Sequence, residues 1–198
     1  LSGKLYVDYV YLDTDERRRF AQVSHEYLIE QIQFNNNDLI LENKPTHNAV
    51  INFNHPIKTI FWVISSNANT NKNTATGNKL FTYSTTLEDK SEDETFLNAK
   101  LILNGHDRFS ARNADYFRVV QAYQHHKNLP RKHIYSYSFA LKPEEHQPSG
   151  TCNFSRIDNS ILQFAFNDNI PESTLKVFAV NYNVFRIMGG MGALAYTN

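Results

Sequence analysis

Residues 174–198 read TLKVFAVNYNVFRIMGGMGALAYTN, and this stretch decides the fold of the chain. Up to Met188 most of its residues are apolar, with many β-branched and aromatic side chains, which is typical of a strand packed into a core. Alternate side chains in this run are large and apolar, namely Phe178, Val180, Tyr182 and Val184. We expect their shared face to pack into the core. We also expect the strand to lie in the middle of a sheet, because an edge position would invite aggregation.

Three glycines, Gly189, Gly190 and Gly192, follow this run. Glycines so close together do not suit a helix, and they allow backbone turns that other residues avoid. We therefore expect Gly190 or Gly192 to adopt a positive φ angle, and the tail around Tyr196 to depend on that turn.

Short apolar segments recur along the rest of the chain, separated by polar loops. Residues 5–12 (LYVDYVYL) predict a strand that is apolar on both faces. Further strands are predicted from about His25 and over residues 49–53, 57–64, 96–103, 134–141 and 160–166. Almost no amphipathic helix lies between them. The sequence therefore predicts an all-β fold, an eight-stranded jelly-roll sandwich with short helices in its loops.

Polar clusters predict the main connections. Acidic residues that precede three arginines predict a short helix with Asp13 or Thr14 as its N-cap. The run of residues 35–38, Asn-Asn-Asn-Asp, predicts a loop. Residues 65–84 are rich in Asn, Thr and Lys, so we expect an exposed loop, from which residues 69–77 could be removed at little cost in stability.

Length and composition restrict the function classes. The chain has 198 residues and a formal net charge of zero, with no basic stripe, which argues against nucleic-acid binding. The single Cys152 excludes an intrachain disulfide framework, and no apolar run approaches the ~20 residues that cross a bilayer. Because the chain begins with Leu rather than Met, we expect a fragment or a trimmed product.

The histidines do not have the spacing of a metal site. A cupin-like site needs two His two residues apart on one strand face together with a carboxylate. The pairs His125-His126 and His106-Asp107 are each adjacent in sequence, so they lack this spacing. Cys152 has no His in a catalytic context, and we expect it to be a small buried hydrophobic residue. The sequence predicts no catalytic residue, no metal site and no cofactor.

Two polar motifs in the final third are structural candidates. Arg156 and Asp158, in the sequence SRID, predict an ion pair or a hydrogen-bond clamp that fixes the loop before the next strand. The run of residues 144–146, Glu-Glu-His, predicts a solvated connection, with a subunit contact as the alternative interpretation.

Three blocks resemble the major capsid proteins of nucleocytoplasmic large DNA viruses, of the algal-virus and iridovirus type. They are the tail NYNVFRIMGGMGALAYTN, residues 7–27 (VDYVYLDTDERRRFAQVSHEY) and residues 138–159 (SFALKPEEHQPSGTCNFSRIDN). The blocks bracket nearly the whole chain. The resemblance implies a structural protein of the virion, with no enzymatic activity.

The resemblance also implies an architecture. Capsid proteins of this family carry two jelly rolls in tandem and form homotrimers of pseudo-hexagonal outline that tile an icosahedral shell. By resemblance, residues 1–21 are the last strand and linker of a preceding jelly roll, and residues 22–198 are the C-terminal jelly roll. The tail with Gly189, Gly190, Gly192 and Tyr196 is then expected near the trimer contacts.

Partners and location follow from the same resemblance. The expected partners are other copies of the chain, neighbouring capsomers, minor capsid proteins and, indirectly, the internal viral membrane. The expected location is the virion capsid, and the host cytoplasm during assembly. Two other function classes stay open, namely a jelly-roll module that binds glycans through its long loops, and a cupin-like metalloenzyme.

Overall fold

The computed structural model describes residues 2–71, 79–85, 94–167 and 170–197. The helices are α1 (Thr14–Gln22), α2 (Asn67–Thr70) and α3 (Gln121–His125), with a π-helical turn at Tyr116–Val120 and a 3-10 turn at Phe154–Arg156. The strands are β1 (His25–Ile40), β2 (Thr46–Val50), β3 (Pro56–Ser66), β4 (Asn98–Leu103), β5 (His106–Asp107), β6 (Arg112–Asn113), β7 (Tyr135–Ser138), β8 (Cys152–Asn153), β9 (Ser160–Ala165), β10 (Ser173–Met188) and β11 (Met191–Leu194).

Contacts within the chain define two compact units. The barrel unit is Glu30–Tyr182, and the terminal unit combines Leu1–Ile29 with Asn183–Asn198. The long strands β1 and β10 contribute residues to both units. The two units are described separately below.

The strands form two antiparallel sheets. The first has the order β1-β10-β3-β7, with β11 paired to β10 and β8 paired to β3. The second has the order β2-β9-β4-β5, with β6 paired to β4. Strands β1 to β4 alternate between the sheets along the chain, and β10 returns to lie between β1 and β3, which is jelly-roll connectivity. The predicted jelly roll of eight main strands is confirmed, and so is the central position of the terminal strand.

The core of the barrel unit lies between the sheets and is rich in aromatic rings. Trp62 of β3 is 1% exposed, and its ring centre lies 5.1 Å from that of Phe117, 6.1 Å from that of Tyr135 and 6.3 Å from that of Phe164. These rings come from the first sheet, the π-helical turn and the second sheet, so they join separate layers of the fold.

The predicted core face of β10 is wrong for Phe178, Val180 and Val184, which are half-buried, whereas Tyr182 is buried as predicted. Leu175, Val177 and Ala179 are buried in the core, whereas Phe178 lies on the opposite face and stacks on Phe34 of β1 at 4.8 Å. Both faces of this strand are apolar, so alternation alone cannot identify the buried one. A β-bulge between residues 180 and 181 also shifts the register against β3.

The loop predicted at residues 35–38 is also wrong, because β1 continues to Ile40. Asn35 donates from Nδ2 to the Val50 carbonyl at 2.9 Å. Two residues earlier in β1, the Gln33 side chain donates to the Asn54 carbonyl at 2.6 Å and accepts from the Asn54 N–H at 3.0 Å. These amide side chains bind backbone groups of the β2–β3 region, so the strand keeps partners that the composition does not suggest.

The predicted exposed loop at residues 65–84 is only partly correct. Strand β3 extends to Ser66 and is followed by α2, in which Asn69 is fully buried and donates to the Ser84 carbonyl at 3.4 Å. Residues 72–78 lie outside the described ranges. A deletion of residues 69–77 would remove the buried Asn69, so we expect it to cost more stability than the sequence suggests.

Of the two elements predicted near the N-terminus, only the helix is formed in the described structure. Helix α1 is confirmed, and Asp13 is its N-cap, with its carboxylate accepting the Glu16 N–H at 2.9 Å. No strand is formed over residues 5–12 in the described part of the chain, where this segment pairs with no other strand. A strand requires a neighbour for its N–H and C=O groups, and none of the described residues supplies one.

Candidate assembly surface

The terminal unit exposes far more apolar surface than its size warrants. Of the 28 exposed large apolar side chains among the described residues, 15 lie in this unit, although it holds less than a quarter of the chain. They are Leu5, Tyr6, Val7, Tyr9, Val10, Tyr11, Leu12, Phe20, Val23, Tyr27, Leu28, Met188, Met191, Leu194 and Tyr196. Asn183 is the one buried residue of the unit within the described ranges, and α1 buries none. A concentration of exposed apolar side chains marks an interaction surface.

A tight β-hairpin forms the C-terminal part of this unit. Met188 of β10 pairs with Met191 of β11, so only two residues form the turn. Gly189 and Gly190 have φ angles of 57° and 79°, and positive φ at both positions defines a type I′ turn, which matches the twist of the strands. The predicted positive φ is therefore confirmed for Gly190.

Gly192, the other candidate for a positive φ, has a φ outside the left-handed region. The constraint at this position is steric instead. A Cβ atom there would lie 2.6 Å from Cζ of Phe185, so the aromatic ring occupies the space above the glycine. A ring can rotate away, and we therefore expect small substitutions at Gly192 to be cheaper than those at Gly190.

Hydrogen bonds extend this hairpin beyond β11. The Ala195 N–H donates to the Val184 carbonyl at 2.8 Å, and Asn183 donates from Nδ2 to the Tyr196 carbonyl at 2.9 Å. The Tyr196 ring itself remains exposed. The tail is thus fixed through its backbone, while its aromatic side chain is available for contacts.

Replacing Gly190 by valine is expected to destabilise the hairpin by about 1–3 kcal/mol, because a β-branched residue is strained at positive φ. Gly189→Asn is the matched control, since Asn tolerates the left-handed region and is common in type I′ turns. Amide hydrogen exchange of Ala193 and Ala195 would report the loss. Equal exchange in both variants would contradict the strained-turn interpretation.

The sequence candidates Arg156 and Asp158 lie exposed in the barrel unit and make no ion pair with each other in the described structure. A clamp does exist at Asp158, but it uses the backbone. Asn104 Oδ1 accepts the N–H of Asp158 at 2.9 Å and that of Asn159 at 3.2 Å. Asn104 and Gly105 form the β4–β5 turn with positive φ angles, so the Asn-Gly pair was the sequence signal for this site.

A buried ionic cluster in the barrel unit was missed by the sequence analysis. Arg118 donates from Nε to Glu94 at 2.6 Å, and the Tyr135 hydroxyl donates to the same carboxylate at 2.7 Å. Burial alone would raise the pKa of Glu94, but these hydrogen bonds outweigh it and lower the pKa below its ordinary value. The neighbouring Asp115 has a raised pKa, chiefly because of its hydrogen bond with Glu94. The cluster links the segment before β4, which contains Glu94, to Arg118 of the π-helical turn and to Tyr135 of β7.

A second buried cation lies at the bulge of β3. Lys58 is the extra residue between Ile57 and Thr59, which pair with consecutive residues of β10. Its Nζ donates to Glu30 at 2.5 Å and to the Pro143 carbonyl at 2.6 Å. In both clusters the cation is largely buried and a carboxylate of the same chain pairs with it, which indicates a structural role.

The described residues contain no group of three or more His, Cys, Asp or Glu side chains placed to hold a metal ion. His125 contacts the Leu141 carbonyl at 2.9 Å, and His126 contacts Glu144 at 3.3 Å. Cys152 is half-buried, and burial raises the pKa of its thiol. Among the described helices, none has the length and apolar character that crossing a membrane requires.

Comparison with known proteins identifies the family. The sequence model described as large eukaryotic DNA virus major capsid protein matches residues 16–193. The major capsid protein of Pyramimonas orientalis virus is 47% identical over the whole chain, which covers 49% of that relative. The major capsid protein of Paramecium bursaria Chlorella virus 1 is 39% identical over 98% of the chain, which covers 54% of that relative. The chain spans about half the length of these curated relatives.

Solved structures agree with the sequence comparison. The crystal structure of PBCV-1 VP54, as fitted into a reconstruction of the virophage Sputnik, matches 96% of this chain and 56% of its own. The TM-score is 0.78 at 37% identity. The Faustovirus major capsid protein matches at a TM-score of 0.60 and 14% identity, which shows a shared fold. These relatives are structural proteins and not enzymes. The chain therefore belongs to the family of large eukaryotic DNA virus major capsid proteins.

Proposed function

We propose that the chain is a shell-building subunit, the C-terminal jelly-roll half of a major capsid protein that forms homotrimers of pseudo-hexagonal outline. The trimers tile an icosahedral shell in the virion, after assembly in the host cytoplasm. Partners are further copies of the chain, minor capsid proteins and, indirectly, an internal membrane, and nucleic acid is not a partner.

The terminal unit carries this proposal. Its helix and hairpin bury almost nothing of their own, while 15 large apolar side chains are exposed. Ordering a segment costs about 1–2 kcal/mol per residue in backbone entropy, which a unit without a core does not recover by itself. Contacts with other polypeptide in an assembly supply the missing burial. Gly189, Gly190, Gly192 and Tyr196 act in this surface by fixing and presenting the hairpin.

The same reasoning supports a tandem arrangement. We assign residues 1–21 to the last strand and linker of a preceding jelly roll, and residues 22–198 to the C-terminal one. Residues 5–12 are apolar on both faces and pair with no described strand. A strand of this composition requires neighbours on both faces, which a sheet of the preceding jelly roll would provide.

The two alternative functions have less support than shell building. A groove of about 340 Å³ lies on the second sheet, where Lys100 and Asp107 pair at 3.0 Å, and its one aromatic residue, Phe164, is fully buried. A second groove, of about 390 Å³, is bordered by Phe81, which is 69% exposed, and this ring is the one observation that favours a glycan-binding module. For a cupin-like enzyme, the required cluster of metal ligands is missing from the described residues.

Removing residues up to Leu12 is expected to reduce aggregation of the chain, because an exposed apolar segment without strand partners promotes association. Sedimentation velocity of the full and shortened chains would measure this difference. It would also test assembly, for which we expect a species of three chains. If both forms sediment as clean monomers at every concentration, the tandem arrangement and the trimer are both refuted.

A further inference from the structure

His126 occupies a corner of the barrel unit, directly after the end of α3. Its side chain is 10% exposed. The ring packs against Phe61 of β3, with 5.4 Å between the ring centres. Its Nδ1 lies 3.3 Å from Oε1 of Glu144, which belongs to the β7–β8 loop (residues 139–151). The ring is therefore held between a strand of the first sheet and this loop.

The contacts of His126 identify the neutral form of its ring. An ionised carboxylate only accepts hydrogen bonds, so the hydrogen of the neutral ring lies on Nδ1, which faces Glu144. The other nitrogen, Nε2, is buried and has no hydrogen-bond partner in the described structure. A proton on Nε2 would create a charged ring with a buried N–H that lacks an acceptor, which costs the hydration of that group without compensation.

The charges around His126 do not remove this cost. Burial is the largest influence on the ring and lowers its pKa below the ordinary value, although Glu144 acts in the opposite direction. His125 on the same helix lowers this pKa further. The other ionisable groups on the surrounding elements are Lys58 of β3, Lys127, Arg131, Lys132 and His133 before β7, and Lys142, Glu145 and His146 of the loop. Lys58 is bound to Glu30 and to the Pro143 carbonyl, and Lys142 pairs with Glu145 at 3.4 Å.

Two further contacts join the end of α3 to the same loop. Lys127 donates its backbone N–H to Oε1 of Glu144 at 3.1 Å. His125 donates from Nδ1 to the Leu141 carbonyl at 2.9 Å, since a carbonyl oxygen only accepts. Glu144 therefore receives both the His126 ring and the following backbone amide, and a movement of the ring would weaken both connections.

A cavity of about 270 Å³ lies beside the His126 ring. Residues of the α3–β7 connection border it, among them Leu129 and Pro130, and Leu129 is 53% exposed. The cavity provides space into which the ring can turn. The loop keeps a second anchor on its other side, because Lys58 holds the Pro143 carbonyl at 2.6 Å. We therefore expect any opening at His126 to be local.

We propose that His126 is an acid-sensitive latch of the barrel unit. In acidic solution Nε2 takes up a proton from the solvent, the ring turns away from Phe61 toward water, and the end of α3 separates from Glu144. At neutral pH the ring is uncharged and the latch is closed. All groups involved lie within Glu30–Tyr182, so the latch operates inside one chain and does not depend on the proposed function.

The direction of the effect follows from the pKa of His126 in the two states. In the open state the ring has the ordinary pKa of about 6.5, and in the closed state its pKa is lower. Between these two values the open state binds more protons, so opening becomes more favourable as the pH falls. Above this window opening is independent of pH. One proton changes the opening equilibrium by at most about tenfold per pH unit.

Amide hydrogen exchange of the Lys127 N–H, corrected for its intrinsic pH dependence, measures the opening. We expect the opening equilibrium constant to rise at least about threefold from about pH 7 to about pH 5. Glu144 stays largely ionised in this range, which lies above the ordinary carboxyl pKa of about 4.3. His126→Phe keeps an aromatic ring beside Phe61 but cannot titrate, so its opening should be independent of pH. His125→Gln is the matched control, and it should retain the rise.

Titration of the unaltered chain by NMR gives the pKa of the His126 ring directly, and it does not depend on the folding of any variant. We expect a value below the ordinary value of about 6.5. A pKa at or above that value, a smaller rise in the parent chain, or a rise that persists in His126→Phe overturns the proposal. None of these results bears on shell building, which sedimentation tests separately.

Discussion

Replacing Trp62 by alanine is expected to lower the free energy of unfolding by about 3–5 kcal/mol. Trp62 is almost fully buried, and it contacts Phe117, Tyr135 and Phe164, which come from different layers of the barrel unit. Truncation would leave a cavity that these rings cannot fill, because they are fixed by separate elements. The loss would be a large share of the ~5–15 kcal/mol that stabilises a typical domain. Urea unfolding followed by far-UV circular dichroism measures it, since Trp62 is the single tryptophan and fluorescence would be lost.

Phe61→Ala is the matched control for this prediction. Phe61 is the preceding residue of β3, is also aromatic and lies half-buried on the opposite face of the sheet. Its truncation removes similar apolar area but leaves no closed cavity, so we expect a clearly smaller loss. Equal losses for the two variants would contradict the assignment of the core to the Trp62 face.

Replacing Arg118 by methionine is expected to cost about 3–5 kcal/mol near neutral pH, since it leaves the Glu94 carboxylate without its cation in a largely buried site. Both side chains of this pair are 15% exposed. The control is Arg186→Met, which breaks the exposed pair with Glu26. Exposed pairs contribute at most about 1 kcal/mol, so the control should unfold almost like the parent.

The pH dependence of the Arg118 variant gives a second readout. The pKa of Glu94 is lowered in the folded protein, so this group stabilises the fold above the ordinary carboxyl range, and the contribution is lost as pH falls through the folded pKa. In the variant, Glu94 takes up its proton at a higher pH and its buried charge disappears. We therefore expect the stability difference between parent and variant to shrink as the pH falls from neutral to about 4. A difference that is independent of pH would refute the charge explanation.

Much of this fold could be predicted from local patterns. The jelly roll, the central position of the terminal strand and the cap at Asp13 all follow from periodicity, composition and capping preferences. These features depend on residues that are close in sequence. Their physical causes act locally, so the sequence displays them directly.

The wrong predictions concern features that depend on contacts between residues distant in sequence. Phe178 and Val177 are both suited to a core, and the register against β3 pairs Val177 with the buried Trp62 and Phe178 with the half-buried Phe61. Residues 35–38 are typical of a loop, but Asn35 finds a backbone partner in Val50, outside its own segment.

Local sequence patterns are equally insufficient for the candidate assembly surface and for the ionic cluster. Gly190 and Gly192 are indistinguishable as sequence letters, yet one has positive φ and the other lies beneath the Phe185 ring. The cluster of Glu94, Arg118 and Tyr135 joins three separate segments, and no spacing rule connects them.

The central position of β10 has a consequence for biosynthesis. On a ribosome, β1 and β3 emerge long before β10, which follows all other strands of the two four-strand paths. At about 5–20 residues per second, their facing edges wait on the order of ten seconds for the strand that separates them. During that interval the nascent polypeptide exposes two unsatisfied edges, so the first sheet cannot close until translation has delivered β10.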